Sequence, residues 1–129
     1  MIESEPKSPD ERWPRSLYAA GSEPDPRFTF ANERTFLAWI RTGLGFLAAG
    51  VAIAAVARLT AQLGFEVRIA SIILVACGLA CGIGAFSRWM VNERAMRLGQ
   101  PLPSSPLLLL LTVVVALVGI VALVVVSLE

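Results

Sequence analysis

Three long apolar stretches, separated by short polar connections, dominate the 129-residue chain. They cover about residues 36–57, 69–91 and 106–128. A helix needs about 20 apolar residues to cross a hydrocarbon core about 30 Å thick, and each stretch reaches that length. The pattern therefore predicts an all-α membrane protein with three transmembrane helices, folded as one domain over residues 25–129.

The chain before the first span has a different pattern. Residues 1–24 mix prolines, serines, acids and arginines without helical periodicity, which is typical of disordered segments. Trp13, Leu17 and Tyr18 are exceptions that favour contact with a membrane surface or with the protein. We therefore predict a disordered cytoplasmic tail or an interfacial segment here. Because acids interrupt any apolar signal sequence, we expect the first span to direct insertion.

One face of the first predicted helix is basic at its start and small-sided afterwards. Arg34 and Arg41 are seven residues apart, which places them about 20° apart on a continuous helix, and Arg27 lies another seven residues earlier. The face continues through four small residues, namely Gly45, Ala48, Ala52 and Ala55. Small residues let a second helix approach closely inside a membrane, whereas an arginine there needs a partner or water. We predict that this face packs against another helix.

The second span is rich in small residues around two cysteines. Gly78 and Gly82 are four residues apart and flank Cys81, with Cys77 just before them. Such spacing is typical of close helix packing. The cysteines could also form a redox pair or bind a soft metal, but the chain has no histidine and two cysteines alone make a poor metal site. We favour packing and expect neither a metal nor a cofactor.

Helix-end signals frame the connection to the third span. Asp25-Pro26 favours the start of the first helix, and Gly99 suits the end of the second. Ser105 is predicted to cap the third helix, with Pro106 at its first position. That third helix is almost wholly leucine and valine, so we expect it to face lipid.

The charged residues predict an orientation. The chain is 56% hydrophobic with a formal charge of +1, and its charges are crowded outside the apolar stretches. Six arginines flank one side of the predicted spans: Arg27, Arg34, Arg41, Arg88, Arg94 and Arg97. Only Arg58 and Arg68 flank the other. Because positive residues favour the cytoplasm, we predict a cytoplasmic N-terminus and an external C-terminus.

Two acids lie among these arginines. Glu33 is part of Asn32-Glu33-Arg34, and Glu93 is part of the similar Asn92-Glu93-Arg94. The two triplets fall at the same membrane face in the predicted topology. Glu93 and Arg97 have the spacing of a helical ion pair. We predict that Glu33 and Glu93 are the charge partners of the arginine cluster.

The run Phe30-Ala31-Asn32-Glu33-Arg34-Thr35-Phe36-Leu37-Ala38-Trp39, followed by Arg41-Thr42, resembles the small bacterial membrane-protein family that includes YidH. The same domain forms the membrane part of the eukaryotic vacuolar transporter chaperone, which makes polyphosphate and moves it across a membrane. The resemblance covers about residues 25–129 and implies a bacterial inner-membrane location. It also implies a phosphate-facing role for Arg27, Arg34 and Arg94, but not polymer synthesis, because the polymerase is a separate soluble domain.

No nucleophile–base pair, phosphate loop or metal spacing stands out in the chain, so we do not expect an enzyme or a nucleic-acid-binding protein. The remaining chemistry is cationic. One hypothesis is a homo-oligomer in the bilayer with a cytoplasmic vestibule for phosphate or polyphosphate, because arginine donates paired hydrogen bonds to phosphate. Its candidate residues are Arg27, Arg34, Arg41, Arg94 and Arg97. The alternative is a structural or accessory subunit for a partner membrane protein, whose arginines only anchor its topology and contact lipid headgroups.

Overall fold

The structure is a computed structural model that describes residues 10–61 and 64–128. Its four helices are α1 (Arg15–Tyr18), α2 (Pro26–Leu59), α3 (Phe65–Arg97) and α4 (Pro106–Leu128), and the described residues include no strand. The three long helices are each long and apolar enough to cross a membrane. The predicted all-α fold with three transmembrane helices is confirmed.

Helices α2 and α3 pack as an antiparallel hairpin. The side of α3 that faces α2 is buried at alternating steps of three and four residues: Ser71, Leu74, Gly78, Cys81 and Ala85. This is the spacing of a coiled-coil seam. Small residues bring the two backbones together, because a Cβ added to Gly78 would lie 2.8 Å from the carbonyl oxygen of Gly43. Cys81 is 1% exposed and both cysteines are free thiols.

The small-residue face of α2 does not enter this seam. Gly45, Ala48 and Ala52 are exposed, and added Cβ atoms at Gly45 and Gly82 would meet nothing within 4 Å. The α3-facing side of α2 is instead marked by Asn32, Trp39, Gly43, Gly50 and Ala57. A step of 20 residues from Asn32 to Ala52 turns about 200° around a helix, so most of the small-residue face points away from α3, while Ala55 at its edge also borders α3. Any packing through it requires a second molecule, and that role stays a prediction.

The chain before α2 differs from the predicted disordered tail. Residues 1–9 lie outside the described part of the chain. Residues 10–24, which we call the N-terminal strap, fold onto the end of α3 and contain α1. Leu17 of the strap is only 2% exposed. Sequence periodicity missed this segment because hydrogen bonds between its backbone and Arg97, rather than a long helix, hold it in place.

The helix ends follow two of the three predicted signals. The Asp25 carboxylate accepts a hydrogen bond from the Arg27 amide at 2.9 Å, with Pro26 beginning α2. Gly99 follows Leu98, the capping residue at the end of α3, and has a φ of 67°, a left-handed conformation that glycine adopts easily. The predicted Ser105 cap is wrong, since the Ser105 hydroxyl is buried without a hydrogen-bond partner.

Helix α4 contacts the hairpin only near its start. A Cβ added to Gly84 of α3 would lie 2.8 Å from Leu107 Cδ1, so the two helices meet there. Beyond this point the side chains that the structure describes in α4 are exposed or half-buried. In the bilayer those apolar side chains are available to lipid or to a second molecule.

Replacing Gly78 with alanine tests the close approach of α2 and α3. The new Cβ would lie 2.6 Å from Leu47 Cγ and 2.8 Å from the Gly43 carbonyl oxygen, and only the first of these can move aside cheaply. We expect Gly78→Ala to lower the free energy of unfolding by about 1–3 kcal/mol, the usual cost of overpacking. Gly82→Ala is the matched control on the same helix. Thermal melts in detergent that show equal losses for both variants would contradict the packing described here.

Candidate functional site

Polar side chains are buried between α2 and α3 at the end of the hairpin where α2 begins and α3 finishes, here called the basic end. Asn32 and Asn92 are 7% and 8% exposed, and Glu93 is 1% exposed. Asn92 Nδ2 donates to Asn32 Oδ1 at 3.3 Å, and Asn32 Nδ2 donates to the Trp89 carbonyl oxygen at 3.0 Å and to Glu93 Oε2 at 3.4 Å. Thr29 Oγ1 donates to Glu93 Oε1 at 3.1 Å. We call Thr29, Asn32, Asn92 and Glu93 the polar clasp.

The polar clasp fixes how the two helices sit against each other. Buried amides and carboxylates are stable only when they are hydrogen-bonded, and their geometry is more exacting than that of apolar contacts. A slide or rotation of α2 against α3 would leave several of these groups unpaired. The clasp therefore sets the register of the hairpin at the basic end.

The predicted charge partners do not pair with arginine. Glu93 accepts its hydrogen bonds within the polar clasp, and Glu33 is exposed. Neither carboxylate has a cation within 4 Å among the residues that the structure covers. The predicted Glu93–Arg97 pair is absent because Glu93 faces α2, whereas Arg97 faces the N-terminal strap. The predicted role of both acids as charge partners is thus not realised within one chain.

Arg97 is buried and holds the strap. Its Nε donates to the Ala20 carbonyl oxygen at 2.9 Å and its Nη2 to the Tyr18 carbonyl oxygen at 2.7 Å. Its Nη1 lies 3.5 Å from Glu23 Oε2, and its side chain is 4% exposed. Because the guanidinium is enclosed and already hydrogen-bonded, Arg97 is not available to a bound anion. Its predicted place in the anion site is wrong.

Backbone and surface contacts complete the attachment of the strap. The Ser22 amide donates to the Arg97 carbonyl oxygen at 3.0 Å. Arg12 bridges Asp10 at 2.6 Å and Glu23 at 2.9 Å. Its hydrogen bonds hold the pKa of each of these carboxyls down at about 2. Arg12, Asp10 and Glu23 are therefore paired with one another, and Glu23 also with Arg97.

The other candidate anion-binding arginines are exposed, with Arg41 about 10 Å further along α2 than Arg34. Arg27 is paired with Asp25 at 3.0 Å and its side chain is 87% exposed. Arg34, Arg41 and Arg94 are exposed, and no described acid lies within 4 Å of them. These three arginines, which we call the free arginines, carry charges that the described chain does not neutralise.

The free arginines do not converge within one chain. Arg34 and Arg94 each follow a clasp asparagine by two positions, which is about 200° around a helix. Since the two asparagines face each other, Arg34 points away from α3 and Arg94 points away from α2. Arg41 lies nine positions after Asn32, about 180° around the helix, and also faces away from α3. A shared anion site would need a second molecule.

The repeated Asn-Glu-Arg triplet is the sequence feature that corresponds to the polar clasp. Asn32 and Asn92 head the two similar triplets, and the structure brings them into contact. The strap had a weaker signal in Leu17 and Tyr18, which belong to α1. Nothing in the spacing of the arginines distinguished the buried Arg97 from the exposed ones.

Comparisons with known proteins match most of the chain. Residues 27–95 match a family described as a domain of unknown function, DUF202. The inner membrane protein YidH of Escherichia coli K12 is 42% identical over 103 residues, covering 78% of this chain and 87% of YidH. The uncharacterized protein Rv2272 of Mycobacterium tuberculosis H37Rv is 44% identical over 105 residues, covering 81% and 85%. No solved structure gives a significant match.

Replacing Gly21 with alanine tests the attachment of the strap. Gly21 has a φ of 53°, and an added Cβ would overlap the carbonyl oxygen of Arg97. Gly99 also has a positive φ, of 67°, but its added Cβ would meet nothing within 4 Å. Both substitutions strain the backbone by about 1 kcal/mol, so Gly99→Ala is the matched control. We expect Gly21→Ala, but not Gly99→Ala, to speed proteolysis after Arg12 and Arg15, because only the first substitution detaches the strap from α3. Equal cleavage of the two variants would contradict the attachment described here.

Proposed function

The chain belongs to the DUF202 family of YidH-like membrane proteins, and from this premise we propose that it self-assembles in the inner membrane and binds phosphate or polyphosphate through its free arginines. The observation that carries the proposal is that Arg34 and Arg94 at the basic end, and Arg41 about 10 Å beyond Arg34 along α2, are exposed and lack acid partners in the described chain. Copies that meet through the outer face of α2 bring Arg34 and Arg41 together with their symmetry mates, whereas Arg94 lies outside that interface because it points away from α2. The proposal includes no catalytic step.

The spacing of the free arginines favours an extended polyanion over a single phosphate. Arg34 and Arg41 lie on one face of α2, about 10 Å apart along the helix axis. In a symmetric assembly they form two successive layers of guanidinium groups. A polyphosphate chain contacts both layers at once, whereas one phosphate contacts one layer. The start of α4 lies at the same end and adds partial positive charge.

We infer that the basic end lies in the cytoplasm. The support is the count of arginines, which are more numerous at this end than at the end of Arg58 and Arg68. A polyanion added to inside-out vesicles should then bind, and the same polyanion added to right-side-out vesicles should not. Binding only to right-side-out vesicles would contradict this orientation and place the basic end outside the cytoplasm.

The alternative function is a structural or accessory subunit whose arginines contact lipid headgroups. Exposure of Arg34 and Arg41 on the outer face of α2 is what favours it, because that face meets lipid in a chain that does not self-assemble. Arg41 lies about 22 Å from the start of α2 and can extend its side chain toward the interface. In this account a partner membrane protein, rather than a second copy, covers the small residues.

Anion-dependent thermal stability separates these functions. At low salt, converging arginines repel one another until an anion binds, so polyphosphate should raise the melting temperature by several degrees, more than pyrophosphate or phosphate. Salt should weaken the effect. Arg34→Ala should remove most of the shift, and Arg34→Lys should restore part of it, because lysine replaces a two-pronged donor with a point charge.

Arg68→Ala is the control, since Arg68 is also exposed but lies at the opposite end of the hairpin. It should leave the polyphosphate shift unchanged. An equal loss in Arg34→Ala and Arg68→Ala would show non-specific attraction to net charge. If no anion shifted the melt of the wild-type protein at low salt, the lipid-anchoring account would stand instead.

A further inference from the structure

An apolar groove runs between α2 and α3 toward the end opposite the basic end. Its volume is about 810 Å³, within the range of small-molecule sites. The residues that line it are mostly small or aliphatic, including Gly50, Ala54, Ala55, Val75, Ala76 and Leu79. The helices touch closely at Gly50, so the groove lies beside the seam rather than through it.

The groove opens into a polar mouth. A second cavity of about 650 Å³ shares Ala54, Arg58, Ser71 and Ile72 with the groove and adds Arg68 to its lining. The Ser71 hydroxyl donates a hydrogen bond to the Val67 carbonyl oxygen at 3.0 Å. A molecule bound in the groove therefore does not need to supply an acceptor for it. The result is one continuous trough, apolar along its length, with two guanidinium groups at its end.

The two arginines at the mouth are exposed and carry uncompensated charge. Arg58 is in the last turn of α2 and Arg68 is in the first turn of α3. Within the described ranges neither has an acid within 4 Å, and Glu66 between them is exposed and also unpaired. The ends of membrane-spanning helices lie at headgroup level, where anionic phosphates are available.

The length of the trough matches one leaflet. From Gly50 to Arg58 the α2 wall extends about 12 Å, and from Arg68 to Leu79 the α3 wall extends about 16 Å. Half of a 30 Å hydrocarbon core is about 15 Å. An acyl chain that enters from the leaflet beside the mouth can therefore lie along the groove while its headgroup stays at the arginines.

We propose that this trough is a binding site for one anionic phospholipid, with an acyl chain in the groove and the headgroup phosphate at Arg58 and Arg68. One lipid molecule meets both requirements of the site, since it fills the apolar groove and neutralises the cations at its mouth. A helix from a second copy would fill the groove but leave the two guanidinium groups without an anion. The site is independent of the proposed polyphosphate vestibule, which uses other arginines at the opposite end.

Native mass spectrometry of the full-length protein tests the site. The probes are phosphatidylglycerol and phosphatidylcholine with identical acyl chains, added to delipidated protein in detergent. Wild-type protein should prefer phosphatidylglycerol by about thirtyfold, as expected for two arginines that each contribute about 1 kcal/mol near a membrane surface. The double variant Arg58→Gln/Arg68→Gln should bring that preference close to one. Ala54→Trp, which fills the groove, should weaken retention of both lipids.

Two controls match these variants on other surfaces. Arg15→Gln removes an exposed arginine from the N-terminal strap at the basic end, and Ala52→Trp adds the same bulk to the outer face of α2. An equal loss of preference in Arg15→Gln, or equal binding of both lipids by the wild type, would overturn the site. So would an Ala54→Trp variant that loses oligomers but retains phosphatidylglycerol, because a second copy would then fill the groove. If Ala54→Trp fails to fold, the arginine variants still decide, since both side chains are exposed.

Discussion

The buried hydrogen bonds among Asn32, Asn92 and Glu93 are the contact on which the rest of the structure depends. Apolar helices in a bilayer have little preference for one rotation over another, because lipid solvates each apolar face equally well. The clasp restricts that freedom, since its hydrogen bonds form only when Asn32 lies opposite Asn92 and Glu93, and in this register Asn92 Oδ1 is the clasp oxygen that has no described partner. By fixing the inward side of α2 and α3, it also fixes which side chains point outward.

The outward side chains divide the molecule into two chemically different ends. At the basic end, Arg97 donates its hydrogen bonds to the N-terminal strap. Arg34 and Arg94 point away from each other, and no described acid neutralises their charges. At the other end, Arg58 and Arg68 stand over an apolar groove. The two proposals thus use cations at different ends of the same hairpin, one for a polyanion and one for a lipid headgroup, and only the first requires several copies.

The fold was predictable from the sequence and the site only partly so. Apolar length determined three spans, and Asp25 and Gly99 marked helix ends correctly. Rotation was not predictable, because α2 and α3 are apolar on nearly every side, and small residues occur on both faces of α2. The difference between Arg94 and Arg97 depended on the strap, whose attachment rests on the carbonyl groups of Tyr18 and Ala20. Every residue carries a backbone carbonyl group, so a pattern of side chains cannot predict which of these groups accepts a hydrogen bond from arginine.

Disulfide cross-linking in native membranes tests most directly whether copies meet through the outer face of α2. Cys77 and Cys81 are first replaced by alanine, and a single cysteine is then placed at Ala48 or, as a reference, at Gly119 of α4. The account predicts a cross-linked dimer for Ala48→Cys and little for Gly119→Cys, although both positions are exposed in the single chain. Efficient cross-linking at Gly119 with none at Ala48 would contradict it, because the free arginines would then have no symmetry mates to meet.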